Sequence, residues 1–263
     1  MPAYHNIKFE QRGNIALITL NRPDSANGID LQLGKELMLT AIECDENPVI
    51  RAVVITGAGK MFCGGGDLMS FHAQGERLAH GLKELTAYLH SAISRFARMN
   101  APLITAVNGA AAGAGMSLAI AGDYVIASES AKFTMAYTTV GLSPDGSASF
   151  YLPRLVGLRR AQELIYTNRR LSAQEALDWQ LVTRVVADAD LVPEAIKIAE
   201  QLANGPTPAF GVVKKLLLTA FDHSLETQME MEARGIASCT RTHDGNEGIA
   251  AFVEKRKAAF TGL

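Results

Sequence analysis

The 263-residue sequence has little cysteine and no long apolar run, and each shortage excludes a class of protein. Its three cysteines, Cys44, Cys63 and Cys239, are widely spaced and odd in number, so we expect reduced thiols; their spacing does not suit a zinc site. No apolar run reaches the length of a membrane span, and residues 1–8 lack the basic and apolar regions of a signal peptide. We therefore expect a cytoplasmic protein without a metal site.

An excess of charge of one sign is also lacking. The 25 Lys and Arg residues against 27 Asp and Glu leave a formal net charge of −2, which provides no general attraction for nucleic acid. A local basic patch could still bind a small polyanion. With 48% hydrophobic residues, the chain is long enough to bury a substantial core without a disulfide or a metal.

Glycine is abundant in two stretches that each follow a predicted strand. Residues 106–117 run from an apolar strand through glycine and alanine into an apolar helix, and residues 62–68 repeat this order. Free amides at the start of a helix suit a phosphate, a carboxylate, or a carbonyl oxygen that becomes negative during a reaction. Close packing of helix against sheet is the more common reason for such glycines, and both interpretations remain open at this point.

Short β-branched strands alternate with helical segments from Ile7 to Val186, which predicts an α/β fold with largely parallel pairing. We expect a hairpin over residues 7–20, followed by a helix that is capped by Asp30 and ends at Asn47-Pro48. Because the order strand, glycine loop, helix occurs twice, one spiral-like core is predicted.

The remaining segments have different patterns. Residues 70–81 are polar and weakly periodic, so we expect a mobile loop or loosely held helix over the site, before a regular helix over residues 82–99. The chain is divided into a core, residues 1–190, and a helical oligomerisation region, residues 191–263. That region is expected to fold back over the core or to pack against neighbouring subunits, and its last helix is predicted over residues 247–260.

Four side chains are candidates for chemistry. Asp145 lies in a loop made rigid by proline and glycine and could accept and donate a proton, although aspartate before glycine is also a common turn. His90 lies on a predicted helix, where a single histidine more often belongs to the core or its rim than to a catalytic site. Tyr137 is first of all a pocket wall that could add a hydrogen bond. Cys63 has no base nearby in the sequence, so packing is its favoured role.

Several motifs occur together along the chain and in a fixed order. They are Asn21-Arg-Pro with Ala26-Asn27, Phe62-Cys-Gly-Gly-Gly-Asp-Leu68, Ala106-Val-Asn-Gly-Ala-Ala-Ala-Gly-Ala-Gly115, Ala131-Lys-Phe133 and Glu247-Gly-Ile-Ala-Ala-Phe-Val-Glu-Lys-Arg256. From the hairpin at Ile7 to the last helix, the chain resembles the crotonase superfamily, the enoyl-CoA hydratase/isomerase group. The resemblance implies a crotonase-like spiral of ββα turns with a helical C-terminal region that forms homotrimers, often paired into hexamers.

The resemblance also implies the site. The backbone N–H groups of Gly66 and Ala114 would form an oxyanion hole for the thioester carbonyl of an acyl-CoA substrate. Preorganised donors of this kind are worth about 3 kcal/mol each in the transition state. No cofactor beyond the substrate is implied. Family positions that surround the CoA thioester correspond to Ser25, Ala26, Gly64, Asp67, Leu68, Tyr137, Gly141, Phe252 and Lys255.

Two departures from the family pattern bear on the reaction. Enoyl-CoA hydratases carry two glutamates at positions that hold Ser117 and Tyr137 here, which disfavours hydration. Asp145 instead matches the catalytic aspartate of the phenylacetate-pathway epoxide isomerases, which also shift Δ3 double bonds to Δ2, and of dienoyl-CoA isomerases. We therefore expect an acyl-CoA isomerase with Asp145 as its base.

Other functions stay open. In 4-chlorobenzoyl-CoA dehalogenases, an aspartate at the position of Asp145 is a nucleophile and a histidine at the position of His90 activates water, so a dehalogenase or thioester hydrolase is the main alternative. Those enzymes have a tryptophan where this chain has Tyr137, which weakens the match. An acyl-CoA binder without activity, or an RNA-associated member, would retain the fold and leave Asp145 unused.

Overall fold

Two β-sheets organise the computed structural model, which describes residues 4–263. The strands are β1 Ile7–Arg12, β2 Ile15–Leu20, β3 Ala52–Gly57, β4 Met61–Cys63, β5 Leu103–Val107, β6 Ala110–Ala112, β7 Tyr124–Ser128, β8 Lys132–Thr134, β9 Leu171–Ser172 and β10 Arg184–Val186. The larger sheet has the order β1-β2-β3-β5-β7-β10 and the smaller sheet the order β4-β6-β8-β9.

Pairing within the sheets follows the predicted pattern. β1 and β2 form an antiparallel hairpin with Ile7 opposite Leu20, whereas β2, β3, β5, β7 and β10 pair in parallel. In the smaller sheet only β8 and β9 are antiparallel. Every residue of β3 and β5 is buried, as expected for parallel strands covered on both faces. The predicted α/β class is confirmed.

Helices cover both faces and one end of these sheets. They are α1 Leu31–Glu46, α2 Leu68–Ala73, α3 Leu78–Arg98, α4 Ala114–Ile120, α5 Ala148–Val156, α6 Leu158–Thr167, α7 Ala173–Asp178, α8 Leu191–Ala203, α9 Thr207–Thr219, α10 Leu225–Cys239 and α11 His243–Val253. The carboxylate of Asp30 caps α1 by accepting from the Leu33 N–H over 2.8 Å, as the sequence predicts. Within residues 4–263, no helix combines the length and apolar character needed to cross a bilayer.

For residues 70–81, where the sequence predicts a mobile loop or a loosely held helix, the structure is helical over most of the segment. That segment contains most of α2, a single 3₁₀ turn over Gly75–Arg77 and the first turn of α3, which begins four residues earlier than expected. Because α2 is only six residues long and buries one side chain, Phe71, it leaves no periodic pattern in the sequence.

The last helix is also shorter than predicted, since α11 ends at Val253 instead of residue 260. Lys255 has φ +55°, in the left-handed region, and the Arg256 N–H donates to the Ala251 carbonyl, which closes the helix. The Arg256 guanidinium then turns back to Glu247 in a paired contact of 2.6 and 2.8 Å. Lys255 occupies the left-handed position after the helix where glycine is usual, so the sequence does not show that the helix ends there.

The alternation of side chains along β2 divides the interior into two cores. Ala16, Ile18 and Leu20 belong to the main core, which includes α1, α3 and α4, whereas Ile15 and Leu17 pack with α8 on the opposite face. The first helix of the C-terminal region therefore folds back over the sheet. Beyond it, large apolar side chains remain exposed on α9 to α11 and their loops: Val213, Leu217, Phe221, Leu225, Met229, Ile236, Ile249, Phe252 and Val253.

Candidate active site

The two glycine-rich stretches meet in the interior at van der Waals distance. A Cβ on Gly115 would lie 2.2 Å from the Cys63 carbonyl oxygen, and a Cβ on Gly65, where φ is +96°, would lie 2.8 Å from the Ala112 carbonyl oxygen. Neither neighbour is a flexible side-chain end, so only glycine fits at both positions. The packing interpretation of these glycines is therefore correct, and the packing places the end of β4 beside the start of α4.

Two backbone amides at this junction lack an acceptor. Among the hydrogen bonds of residues 4–263, the N–H groups of Gly66 and Ala114 have no partner, whereas the nearby N–H groups of Gly64 and Gly113 donate to carbonyl oxygens at 2.8 and 3.0 Å. Ala114 is the first residue of α4, where partial positive charge collects. Gly66 and Ala114 border the same cavity, so they form a pair of donors available to one oxygen atom.

That cavity has a volume of about 430 Å³ and a largely apolar wall. Its apolar side chains are Ile29, Leu68, Phe71, Leu82, Leu85, Leu89, Val140 and Leu142. Asp145 is the one carboxylate among the described residues that line it, and Arg170 is the one cation. An apolar pocket with a few convergent polar groups is the usual form of a small-molecule site.

Asp145 is held from one side by a chain of hydroxyl groups. The Tyr137 hydroxyl donates to Asp145 Oδ1 over 2.6 Å and lies 3.0 Å from the hydroxyl of Ser117, which is fully buried on α4. Burial first, and then the nearby Asp145 charge, raise the pKa of Tyr137 well above its usual value. The phenol thus stays neutral and acts as a donor to the carboxylate.

His90, on α3, holds the same loop from the other side. Its Nε2 atom lies 3.3 Å from Asp145 Oδ2 and accepts from the Gly146 N–H over 3.2 Å. The His90 side chain is 50% exposed, compared with 29% for Asp145. It lines a second cavity of about 330 Å³ together with Gly146 and Ser147. The structure places His90 at the rim, as expected for a single histidine, and also in contact with the candidate base.

The Cys63 thiol is packed away from the cavity. Its side chain is fully buried, the Sγ atom donates to the Asn27 carbonyl over 3.1 Å, and burial raises the pKa of the thiol to about 12. A thiol in this state is a poor nucleophile. This agrees with the structural role expected from the sequence.

The residues expected near CoA divide into two groups. Gly64, Leu68 and Tyr137 line the main cavity, whereas the others do not: Ser25, Ala26, Asp67, Gly141, Phe252 and Lys255. Phe252 is 85% exposed on α11. The roles of these residues toward CoA therefore stay predictions.

Asp67 has a structural role as a helix cap and as the partner of an arginine. It caps α2 through the Ser70 N–H and forms an ion pair of 2.9 Å with Arg22. Burial opposes its ionisation, but the Ser70 N–H and the Arg22 guanidinium outweigh that effect and lower the pKa of Asp67. Arg22 also contacts Asp30 at 3.1 Å, so it joins the starts of α1 and α2 behind the glycine loop.

Phe71, Asn168 and Arg170 line the cavity but were missed as site residues. They come from two separate segments, the helix α2 and the loop between α6 and β9, without a shared motif, so no local signal marks them. Within the described residues, no three His, Cys, Asp or Glu side chains cluster in a way that could hold a metal ion.

Comparison with known proteins agrees with this geometry. Residues 10–262 match the family described as enoyl-CoA hydratase/isomerase. A "Probable enoyl-CoA hydratase" from Rhodobacter capsulatus is 39% identical over 260 residues, which cover 99% of each chain. The 1,2-epoxyphenylacetyl-CoA isomerase of Escherichia coli is 36% identical over 94% of this chain and 95% of its own.

Two further comparisons complete the set. The 4-chlorobenzoyl coenzyme A dehalogenase-2 of an Arthrobacter species is 35% identical over 95% of this chain and 91% of its own. The crystal structure of an enoyl-CoA hydratase from Polaromonas sp. JS666 superimposes with a TM-score of 0.92 at 36% identity, covering 97% of this chain and 99% of that chain. Relatives of nearly equal identity carry names for three reactions, so overall similarity does not choose among them.

Proposed function

The chain belongs to the enoyl-CoA hydratase/isomerase family, and within that family we propose that it is an acyl-CoA isomerase. It would shift a double bond, or open and isomerise a ring epoxide, through a thioester enolate. The single carboxylate among the described cavity residues, Asp145, carries this proposal, because it shares the cavity with the free amides of Gly66 and Ala114. The CoA thioester is the substrate, and the proposal includes no separate cofactor.

The proposed double-bond shift begins with the carbonyl oxygen of a 3-enoyl thioester in contact with both amides. Asp145 removes a proton from C2, and the electron pair of the C2–H bond moves into the enolate, whose charge grows on that oxygen. Asp145 then returns the proton to C4, and the double bond ends between C2 and C3. The two amides stabilise the enolate more than the neutral thioester, which is the condition for faster chemistry.

One carboxylate favours isomerisation over hydration. The same group can remove and return a proton, whereas hydration by the usual family mechanism uses two glutamates. At those two positions, Ser117 is buried outside the cavity wall, and Tyr137 is a neutral phenol that donates to Asp145. Neither side chain is suited to activate water.

The test is the activity of the purified protein and of Asp145→Asn on 3-enoyl-CoA, 2-enoyl-CoA and 4-chlorobenzoyl-CoA. We expect the parent protein to convert 3-enoyl-CoA to 2-enoyl-CoA and the variant to lose at least about a thousandfold in kcat, as for removal of a general base together with its orienting contacts. The matched control is Asp190→Asn, since Asp190 is exposed and makes no side-chain cap. Equal rates for Asp145→Asn and the parent protein would refute the mechanism.

A second candidate is an aspartate-nucleophile reaction, as in a dehalogenase or thioester hydrolase. It is favoured by one observation: His90 and Tyr137 both contact Asp145, so a water-activating base and an orienting donor are both present. In a dehalogenase, Asp145 Oδ2 would displace chloride from the ring and form an aryl ester; in a thioester hydrolase, it would displace the CoA thiolate and form a mixed anhydride. Mass spectrometry of the protein quenched during turnover would detect that adduct, which the isomerase mechanism never forms.

We further propose that the CoA nucleotide lies outside the cavity mouth near Leu68, which is half-exposed there, and that Lys255 contributes to its binding. Lys255→Ala should then raise KM for the acyl-CoA substrate and leave KM for the corresponding acyl-pantetheine unchanged. An equal change in KM for both substrates would show that Lys255 does not contribute to binding of the nucleotide.

We also propose that α9 to α11 mediate assembly into homotrimers or hexamers, because these helices expose many large apolar side chains. Sedimentation velocity should show an oligomer for the parent protein and smaller species for Ile236→Glu. A monomeric parent protein would contradict the proposal.

A further inference from the structure

We propose that His90 retains the substrate proton on Asp145 during isomerisation, by accepting a hydrogen bond from the protonated carboxyl and by closing it off from the second cavity. This inference rests on the proposed isomerase function. It makes His90 a positioning residue, since His90 does not line the acyl-CoA cavity.

The two oxygens of Asp145 have different surroundings. Oδ1 accepts from the Tyr137 hydroxyl over 2.6 Å, whereas Oδ2 lies 3.3 Å from His90 Nε2. An oxygen that already accepts a short hydrogen bond is the weaker base, so a proton taken from the substrate goes to Oδ2. The arriving proton thus points toward His90.

The Gly146 N–H determines whether His90 Nε2 acts as a hydrogen-bond donor or acceptor toward that proton. An imidazole nitrogen carries either a lone pair or a hydrogen, and the Gly146 N–H donates to Nε2 over 3.2 Å. Nε2 of the neutral ring therefore carries the lone pair and Nδ1 carries the hydrogen. An ionised Asp145 would set its own lone pair against that of Nε2, whereas a protonated Asp145 can donate from Oδ2 and share the single Nε2 lone pair with the Gly146 N–H. The arrangement consequently fits the state in which Asp145 holds the substrate proton.

The backbone after Asp145 fixes this geometry. Gly146 has φ +60°, and a Cβ there would lie 3.2 Å from the Ser117 Cβ, so the sharp turn that directs the Gly146 N–H at His90 needs glycine. His90 lies 55 residues earlier in the chain, on α3. Its ring contacts Asp145 Oδ2 and also lines the second cavity, whose wall includes Ser94, Ser147 and Asp222. With acyl-CoA filling the main cavity, loss of the His90 ring would let water approach Oδ2 from that second cavity.

Proton retention has a direct readout in deuterium oxide. During conversion of 3-enoyl-CoA to 2-enoyl-CoA, a retained proton moves from C2 to C4 without exchange, whereas an exposed Asp145 picks up solvent deuterium. Mass spectrometry of the C4 position at early times measures the deuterated fraction. Incubation of the finished product with enzyme corrects for later exchange.

Two variants distinguish the two proposed effects of His90, which are the shielding of Asp145 from the second cavity and the hydrogen bond to protonated Asp145. His90→Ala opens the second cavity to Oδ2, and we expect the deuterated fraction to rise several-fold. His90→Phe keeps the ring volume but cannot accept, so the deuterated fraction should stay low while kcat falls. His80→Ala, an exposed histidine on the same helix, is the matched control and should change neither value.

The outcomes are distinct. If the parent protein isomerises 3-enoyl-CoA but His90→Ala shows the same deuterated fraction, the role of His90 is overturned and the isomerase proposal stands. If His90→Phe retains the full kcat, the hydrogen-bonding part is overturned. If the parent protein does not isomerise 3-enoyl-CoA, both proposals fail together.

Discussion

The hydroxyl of Tyr137 donates to Oδ1 of Asp145 over 2.6 Å, and this contact orients the one carboxylate that lines the main cavity in the described chain. Position 137 is where the family pattern places a glutamate in hydratases. Here the phenol at that position donates a hydrogen bond to an aspartate eight residues later.

Tyr137→Phe tests this contact. Hydrogen bonds to charged groups contribute about 1.5–3 kcal/mol, so we expect kcat to fall about ten- to a hundredfold. KM should change little, because the phenol acts on Asp145 and not on the thioester. Steady-state kinetics with 3-enoyl-CoA measure both values. Tyr166→Phe, at an exposed tyrosine on α6, is the control, and equal kcat in the two variants would contradict the prediction.

Gly115→Ala tests the junction of the glycine loops. Its Cβ would lie 2.2 Å from the Cys63 carbonyl oxygen, so the backbones must separate, at a cost of about 3 kcal/mol or more in the free energy of unfolding. The N–H groups of Gly66 and Ala114 would separate with them and activity should be lost. Urea unfolding and activity are measured together. Gly248→Ala, in α11 with its nearest contact at 3.3 Å, should unfold nearly as the parent protein does.

Phe71 is predicted to limit the length of the acyl chain that the main cavity accepts. Phe71 and Leu85 line both the main cavity and a third cavity of about 340 Å³, so they form the wall between the two. Phe71→Leu or Phe71→Ala should open that wall and raise kcat/KM for long-chain relative to short-chain 3-enoyl-CoA by about tenfold, the effect of one or two methylenes of added contact. Phe150→Leu, at the second cavity, is the control. An unchanged chain-length profile would place the limit elsewhere.

Asp244 is predicted to make the free energy of unfolding depend on pH in the acid range. Burial opposes its ionisation, but the N–H groups of Thr261 and Gly262 at 2.7 and 2.8 Å outweigh this and lower the pKa of Asp244 in the folded chain. A lowered folded pKa adds stability above the unfolded pKa of about 3.9, and that stability is lost as the pH falls through the folded value.

Asp244→Asn should therefore lower the free energy of unfolding by about 2 kcal/mol at neutral pH, with a smaller difference from the parent protein below about pH 4. Urea unfolding at several pH values measures this difference. Asp178→Asn, at an exposed aspartate, should follow the parent protein throughout. A deficit in Asp244→Asn that stays constant down to acid pH would argue against the charge as its cause.

Much of the fold could be read from local patterns. The hairpin, the alternation of short β-branched strands with helices and the Asp30 cap all depend on residues close together in the chain, and each was predicted correctly. The patterns were insufficient for α2, which buries a single side chain, and for the end of α11, where a lysine takes the left-handed position. In both places the helix boundary depends on contacts made elsewhere in the fold.

The candidate site shows the same division. Residue types alone indicate that glycine loops precede two helices, because this is a property of neighbouring positions, and the family resemblance implies that Ser117 and Tyr137 stand where hydratases carry glutamates. Only the tertiary structure brings the amides of Gly66 and Ala114 to one cavity and sets His90 against Asp145. Those contacts join segments 48 and 55 residues apart, and their geometry depends on how the sheets and α3 pack rather than on any local preference.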